Sequence, residues 1–368
     1  MDTMMSRMGA AYGVVARTFG ARFSPIVTAG LFACLRMSVA LGMMVDHVLF
    51  PSLRKADVRR PVILVGNPRT GTTFLQRFLC DHGIGSGMEL WRMLYPSLTL
   101  QIVLKPLLPI LERISPARHH STVAHETSLT SVETDDVAVL FRHFDGFFLY
   151  GFFLAFDEVD HRKQFEPDTR DNAERDFAWL DKLWRRSLVA HGDQRIVAKL
   201  FSVGPRLPRF MTTFPDARVL YMARDPVEIL PSAMSLVTGV LDKRFGFWKL
   251  PEDIRKRYLE RLYLALVELL NRFEADWSSG KIDRKDVYVV RYDRMMREFD
   301  VVMDELLQFI GHTPDDKLKA AISAQAAEQR AYKSKHGYDL AKFGLDADRI
   351  RRDCLPFTTT FLPPLDAA

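Results

Sequence analysis

Residues 61–79, PVILVGNPRTGTTFLQRFL, constrain the fold of this 368-residue chain more than any other stretch. Four apolar residues, 62–65, are followed by Gly66, a proline, a second glycine at Gly71 and a helix-like run. This order predicts a strand, a phosphate-binding loop and a helix. A nucleotide-hydrolysing loop has a lysine directly after its second glycine, and here that position is Thr72. The sequence therefore predicts a phosphate-bearing ligand that does not need this lysine.

Three more segments predict strands, because they are short, apolar, rich in β-branched residues and bounded by charge or proline: residues 194–201, 217–224 and 286–292. Between the last two, leucines and aromatic residues recur every three or four positions over 252–277, which is typical of a helix. Alternating strands and helices predict an α/β fold with a P-loop-like parallel sheet flanked by helices. The ligand is then expected at the carboxyl ends of the strands.

Composition narrows the class of protein. A hydrophobic content of 48% is ample for a core, and 51 basic against 46 acidic residues give a net charge of +5. No basic stripe interleaved with aromatic residues is present, so nucleic acid is not a predicted partner. The three cysteines, Cys34, Cys80 and Cys354, are widely spaced, which argues against a disulfide framework or a zinc site. The default is a reducing, cytoplasmic location.

An apolar segment lies near the N-terminus. Residues 25–50 are apolar apart from Arg36, Asp46 and His47, and the segment is long enough to cross a bilayer. Arg36 falls near its middle, where a charge is costly in lipid. The segment is therefore interpreted as a buried or interfacial helix, with peripheral membrane contact as an additional expectation.

A second motif lies in residues 214–236, FPDARVLYMARDPVEILPSAMSL. A predicted strand ends at Arg224, a turn follows at Asp225 and Pro226, and Ser232 lies eight residues after the arginine. A strand-terminal guanidinium and a hydroxyl from the first turns of a helix can converge on one phosphate. The chain thus carries two candidate phosphate sites.

These motifs resemble those of sulfotransferases that use 3′-phosphoadenosine 5′-phosphosulfate (PAPS). Residues 67–75, NPRTGTTFL, resemble the loop that binds the 5′-phosphosulfate in that family. Residues 223–232, ARDPVEILPS, resemble its 3′-phosphate motif, and residues 289–293, VVRYD, are similar to a stretch whose tyrosine approaches the adenine. Each motif alone is weak evidence, but the three occur in the family's order.

The resemblance implies a donor site without a metal ion. Arg69 would supply positive charge in place of the missing lysine, and the amides of residues 70–73 would cradle the phosphosulfate at a helix N-terminus. The alternative is an ordinary strand-to-helix turn with threonine as the N-cap. The residues implied to bind PAPS are Arg69, Thr70, Gly71, Thr72, Thr73, Phe74, Arg224, Ser232 and Tyr292.

The general base is where this chain departs from the cytosolic members. They carry a histidine two residues after a lysine, whereas here Lys199 is followed by Phe201 at the histidine position. Tyrosylprotein and Golgi-type members use a glutamate about twenty residues after the loop arginine, and Glu89 lies twenty residues after Arg69. The resemblance therefore implies a bacterial-type member closer to that branch, with Glu89 as base and with Lys199 and Arg69 stabilising charge on the transferred group.

Other assignments of these polar residues stay open. Glu89 could instead cap a surface helix. Two further polar groups, expected mainly to be solvated loops, are alternative sources of the base: His119, His120, His125 and Glu126, and residues 133–136, ETDD.

The expected function is transfer of a sulfuryl group from PAPS to a hydroxyl of a lipophilic small molecule or lipid. The aromatic residues of 141–156, with Trp91 and Tyr95, suggest an apolar acceptor pocket, although core packing explains them as well. The alternatives are a P-loop kinase, a carbohydrate or protein-tyrosine sulfotransferase, and a non-enzymatic membrane-associated scaffold. The expected organisation is a helical N-terminal segment, a sulfotransferase domain and a tail, over residues 1–59, 60–357 and 358–368.

Overall fold

The computed structural model describes residues 3–115, 128–192, 195–331 and 339–364. Its sheet has four parallel strands in the order β2-β1-β3-β4. The strands are β1 (Val62–Val65), β2 (Val197–Lys199), β3 (Arg218–Ala223) and β4 (Val287–Arg291). All four predicted strands are present, and the α/β prediction is confirmed, with a larger share of helix than of strand.

The described residues also contain α-helices. They are α1 (Met4–Phe19), α2 (Ser24–Leu49), α3 (Thr72–Asp81), α4 (Leu90–Leu94), α5 (Leu98–Leu104), α6 (Leu108–Ile114), α7 (Asp136–His143), α8 (Phe147–Phe152), α9 (Ala173–His191), α10 (Leu207–Thr213), α11 (Pro226–Phe245), α12 (Glu252–Ser278), α13 (Tyr292–Arg297), α14 (Phe299–Ile310), α15 (Asp316–Ala331), α16 (Ala347–Asp353) and α17 (Leu355–Phe361).

The chain divides into two compact units. The first unit comprises Met1–Val58, Ser86–Ile196 and Ser235–Leu262, and the second comprises Arg59–Gly85, Val197–Met234 and Tyr263–Ala368. The N-terminal helices α1 and α2 thus belong to the same unit as α4 to α9. The sheet and its loops belong to the second unit. The predicted domain limits at residues 59 and 357 stay predictions.

Helices cover both faces of the sheet in the second unit. On one face, α3 and α14 bury apolar side chains such as Leu75 and Phe299 against strand residues such as Leu64 and Met222. On the other face, the Tyr221 ring of β3 stacks on Phe273 of α12 with their centroids 3.4 Å apart, and α17 adds aromatic contacts. Burial on both faces explains why β1 is apolar at every position.

Buried ion pairs hold the first unit together. Asp46 of α2 accepts hydrogen bonds from the Ser97 hydroxyl, the Thr99 amide and hydroxyl, and the Arg186 guanidinium of α9. Burial alone would raise the pKa of Asp46, but these hydrogen bonds hold it below its ordinary value. In the same unit, Arg170 and Arg175 donate to the buried Asp145.

The expectation that residues 133–136 form a solvated loop is wrong. All four side chains are buried in the first unit, and Asp136 opens α7. Asp135 accepts a 2.9 Å hydrogen bond from the Trp184 indole, and the Thr134 hydroxyl donates to Asp136 over 2.6 Å. Buried polar groups need such partners, and the Asp135 and Asp136 carboxylates find these inside the unit.

The aromatic stretch 141–156 contributes mainly to packing. It contains the C-terminal end of α7 and all of α8, and Tyr150 and Phe156 are buried, as is Trp91. The Phe156 ring stacks on Tyr258 with centroids 4.0 Å apart. Half-buried phenylalanines remain along α8, including Phe148 and Phe152, whose rings stack at 6.0 Å.

Candidate active site

The loop between β1 and α3 has the backbone that its glycines predict. Gly66 has φ +148°, and a Cβ there would lie 2.8 Å from the Met222 carbonyl oxygen. Gly71 has φ +95°, and a Cβ there would lie 3.2 Å from Tyr292 Cδ2. The positive φ favours glycine at both positions, and at Gly66 the close backbone oxygen also excludes a side chain. Arg69 also has a positive φ, 78°, a strained conformation for a residue with a side chain.

The first turn of α3 offers backbone donors. Leu75 donates the first bond of this helix, to Gly71 O, so the amides of Thr72, Thr73 and Phe74 precede the helical ladder. Such amides, together with the helix dipole, favour an anion. The Phe74 side chain itself packs against Phe78 and Phe299 in the core of the second unit.

Thr70 is fully buried and supports the loop from inside. Its amide and its hydroxyl both donate to the carbonyl oxygen of Asn67, over 3.3 and 2.8 Å. Asn67 in turn donates through its side-chain amide to Leu266 O. The predicted contact of Thr70 with the donor stays a prediction, since its amide already has this partner.

Arg69 joins the two motifs found in the sequence. Its Nε donates to Ser232 Oγ over 3.0 Å, and its carbonyl oxygen accepts from Arg224 Nη1 over 3.1 Å. Arg224 directly follows β3, and Ser232 lies in α11. The two groups predicted to share one phosphate are thus brought together through the loop arginine, and the loop and the arginine–serine motif form one site.

Tyr292, the first residue of α13 after β4, lies against the same loop. The Arg224 guanidinium stacks over the Tyr292 ring, 3.8 Å from its centroid. Gly71 of the loop lies beside the same ring. A cation over an aromatic face is an attractive contact. The structure therefore gives Tyr292 a role in orienting Arg224, and its approach to adenine stays a prediction.

Lys199, the last residue of β2, reaches the start of α3. Its Nζ donates to the Thr73 hydroxyl over 2.9 Å, and the side chain is largely buried. Phe201, at the position of the missing histidine, is buried in the 3-10 helix Phe201–Arg206. Lys199 thus adds a second cationic side chain beside the α3 N-terminus, and its role in stabilising the transferred group stays a prediction.

Glu89 belongs to the first unit, whereas the site residues described so far belong to the second. It occupies the N-cap position of α4 without capping it. Its Oε2 accepts hydrogen bonds from the Trp91 indole and from Arg92, at 2.9 and 2.7 Å. Among the described residues no donor contacts Oε1, so one carboxylate oxygen is available. The helix-cap interpretation is not supported, and the role of base stays a prediction.

The other candidate bases fare differently. His119, His120, His125 and Glu126 lie outside the described residues. The acidic residues of 133–136 are buried, as described above. Within the described parts of the chain, no group of three or more histidine, cysteine or acidic side chains is arranged to hold a metal ion.

Two residues that the sequence reasoning overlooked belong to the site. Asn67 fixes the loop through Thr70 and Leu266. Glu228, on the first turn of α11, accepts hydrogen bonds from Nε and Nη2 of Arg224 over 2.9 and 2.7 Å. Its spacing of four residues from Arg224 is the signal that could have identified this pair.

Comparison with known proteins places this site in a family. A sequence model of the sulfotransferase family matches residues 61–316, more than half of the chain. No curated protein sequence is significantly similar to this chain.

Two solved structures share the fold. The sulfotransferase STF1 from Mycobacterium tuberculosis H37Rv is 19% identical with a TM-score of 0.67, covering 95% of this chain and 90% of its own. The sulfotransferase STF9 from Mycobacterium avium is 18% identical with a TM-score of 0.63, covering 89% and 83%. With the family match across both donor motifs, the chain belongs to the sulfotransferase family and is a transferase.

Proposed function

We propose that this protein transfers a sulfuryl group from PAPS to a hydroxyl group of a lipophilic acceptor. The observation that carries the proposal is the contact of Arg69 with both Ser232 and Arg224, which joins the 5′ loop to the 3′ motif in one site. PAPS carries anionic groups at both its 5′ and 3′ positions, and a site with two linked cationic ends is complementary to it.

The 5′ end of the donor is assigned to the α3 N-terminus. The amides of Thr72 and Thr73 and the Lys199 ammonium group would bind the phosphosulfate, and the hydroxyl of Thr73 is already aligned by Lys199. The 3′-phosphate is assigned to Arg224 and Ser232. For Arg224 to bind it, the Glu228 carboxylate has to give up its two hydrogen bonds or share the guanidinium.

The reaction needs in-line positioning and stabilisation of charge. The donor supplies a sulfuryl group bonded to a phosphate oxygen; the acceptor oxygen forms the new S–O bond as that bond breaks. Lys199 and Arg69 would stabilise the negative charge that grows on the departing phosphate oxygen. Glu89 is proposed to take the proton of the acceptor hydroxyl, using its available Oε1.

The acceptor class is inferred from the side chains of α8. The half-buried phenylalanines of α8 favour an apolar molecule, whereas the fully buried Trp91 and Tyr150 serve the core. A carbohydrate or a protein tyrosine as acceptor would need exposed polar side chains around it to form hydrogen bonds. A lipophilic alcohol is therefore the first class to test.

The test combines binding and turnover in one preparation. Isothermal titration with 3′,5′-bisphosphoadenosine, with the 5′-monophosphate and with ATP plus magnesium should show preference for the bisphosphate. Labelled PAPS should then pass its label to members of an alcohol and phenol series. Tighter binding of ATP with magnesium would favour the kinase alternative, and binding of none of the three would favour the scaffold.

A further inference from the structure

The first unit exposes a broad apolar face on its N-terminal helices. Within the described residues, α2 is the one helix long and apolar enough to cross a bilayer. Most of its large side chains are exposed, and α5 adds more. This apolar helix face is defined by Met37, Leu41 and Val48 of α2 with Ile102 and Val103 of α5. Exposed apolar patches of this kind mark interaction surfaces.

The opposite side of α2 is fixed to the first unit. Arg36 donates to the carbonyl oxygens of Phe141 and Arg142, and Asp46 is held by α5 and Arg186. Between them, the α2 backbone approaches α5 so closely that a Cβ on Gly42 would lie 2.6 Å from Ser97 Oγ. Residues 36, 39, 42 and 46 recur at helical spacing, so one side is anchored along the helix. Over residues 36–46 the helix therefore lies on the first unit, which favours a surface contact over a membrane span.

The charges around this face identify the occupant. Residues 20–55 and 98–111 contain a single acidic residue, Asp46, and it is fully buried. Exposed cations border the face at both ends of α2 and between α5 and α6, namely Arg22, Arg54, Lys55 and Lys105. The nearest acidic residues outside these stretches are Asp57, which lies beside Arg185, and Glu112. An apolar helix face whose nearest exposed charges are mainly cations is complementary to a lipid surface with anionic headgroups. Two copies of this chain meeting through the face would instead bring like charges together.

We infer that the apolar helix face docks the protein onto an anionic phospholipid bilayer as a monotopic surface contact. Leu41 and Val103 then enter the boundary between headgroups and acyl chains, while Lys55 and Lys105 meet phosphates. Lipid binding at this face needs no nucleotide, so it stands independently of the donor chemistry proposed above.

The experiment is cosedimentation of the full chain with vesicles. Vesicles of phosphatidylglycerol mixed with phosphatidylcholine should bind the protein, and vesicles of phosphatidylcholine alone should bind it less. Leu41→Glu and Val103→Glu should each weaken binding by about tenfold or more, because an apolar contact is lost and a charge of the wrong sign is added. Lys105→Gln should weaken it about fivefold, and only with the anionic vesicles.

Val159→Glu is the matched control. Val159 is as exposed as Val103, at 63% and 58%, but it lies between Glu158 and Asp160. This variant should bind vesicles like the wild type. Binding of 3′,5′-bisphosphoadenosine, where the wild type binds it, or otherwise the thermal melting curve, shows that each variant is folded.

Three results would overturn the proposal. The first is no binding to the anionic vesicles at low salt. The second is an equal loss in Val103→Glu and Val159→Glu. The third is a dimer in light scattering that Leu41→Glu splits without any vesicle binding, which would make the face a contact between copies.

Discussion

Arg224 in the second unit and Arg186 in the first each pair with one carboxylate, but in different surroundings. Arg224 is 20% exposed and its partner Glu228 55%, whereas Arg186 is 5% exposed and Asp46 fully buried. An exposed pair contributes about 1 kcal/mol or less, whereas breaking a buried pair costs about 3 to 5 kcal/mol. The exposed carboxylate can therefore be exchanged for a phosphate at small cost, and the buried one cannot.

The comparison teaches how to tell a ligand site from a structural ion pair. In the second unit, the site cations Arg69, Lys199 and Arg224 contact hydroxyl groups, a carbonyl oxygen and an exposed glutamate, which are weak or replaceable partners. In the first unit, Asp145 is buried and takes bonds from Arg170 and Arg175. A cation in a ligand site has replaceable partners, whereas a cation in a structural ion pair has a buried carboxylate. The presence of arginine alone does not distinguish the two.

The largest effect is expected at Asp46. Asp46→Ala leaves Arg186 buried without its carboxylate and removes an acceptor at the start of α5, so the free energy of unfolding should fall by about 3 to 5 kcal/mol. Urea unfolding measures it. The control is Asp348→Ala, which breaks an exposed pair with Arg351 and should change stability by about 0.5 kcal/mol or less. Similar losses in both variants would contradict the comparison.

Low pH should remove the stabilisation that the Asp46 carboxylate provides. The pKa of Asp46 is held below its ordinary value, so its stabilisation is present above the unfolded pKa, about 3.9, and is lost as pH falls through the lower folded pKa. The difference in unfolding free energy between the wild type and Asp46→Ala should therefore stay constant near neutral pH and shrink below about pH 4. A difference that grew on acidification would show that Asp46 is not held as a carboxylate.

Arg224→Ala should weaken binding of 3′,5′-bisphosphoadenosine by about 2 to 4 kcal/mol and that of the 5′-monophosphate much less. Arg218→Ala is the matched control, because Arg218 begins the same strand, is similarly exposed and pairs with Asp286. It lies at the amino end of β3, where no ligand is expected. Equal loss of both nucleotides in Arg224→Ala would contradict the assignment of the 3′-phosphate.

Glu89 tests whether a partly exposed carboxylate of the first unit can also serve the reaction, since its pair with Arg92 is partly exposed. Glu89→Gln keeps an oxygen for Trp91 and Arg92 but cannot take a proton, so turnover should fall by roughly a hundredfold with nucleotide affinity little changed. Acceptor-saturated rates and nucleotide titrations on the same preparation measure this. Turnover near the wild-type rate would exclude Glu89 as base; lower stability with turnover preserved per folded molecule would make it structural.

The smallest effect is expected at Glu228. Glu228→Gln removes the carboxylate that competes for Arg224, so the affinity for 3′,5′-bisphosphoadenosine should rise up to about fivefold. Glu252→Gln, which breaks the exposed pair with Lys256, is the control and should leave the affinity unchanged. Weaker binding in Glu228→Gln would mean that the glutamate orients Arg224 for the ligand and does not compete with it.

The second unit was largely predictable because its signals are local. The strands are short apolar runs, and the loop conformation follows from Gly66 and Gly71. The burial of residues 133–136 was not predictable, because it depends on Trp184, which lies 49 positions from Asp135. Likewise Arg186 is 140 positions from Asp46, and no local pattern signals that pair. Residues 133–136 were expected in a solvated loop because the partners that bury them are distant in sequence.

The link between Arg69, Ser232 and Arg224 also sets the order in which the protein can be assembled. These contacts join residues 163 and 155 positions apart, and Tyr292 comes later still. While the chain is being synthesised, the glycine loop emerges long before Arg224, Ser232 and Tyr292. Contacts of such long range are slow to form, because a large loop must close before they stabilise anything. The glycine loop, which lies near the start of the family match, should thus be among the last parts of the protein to reach its final conformation.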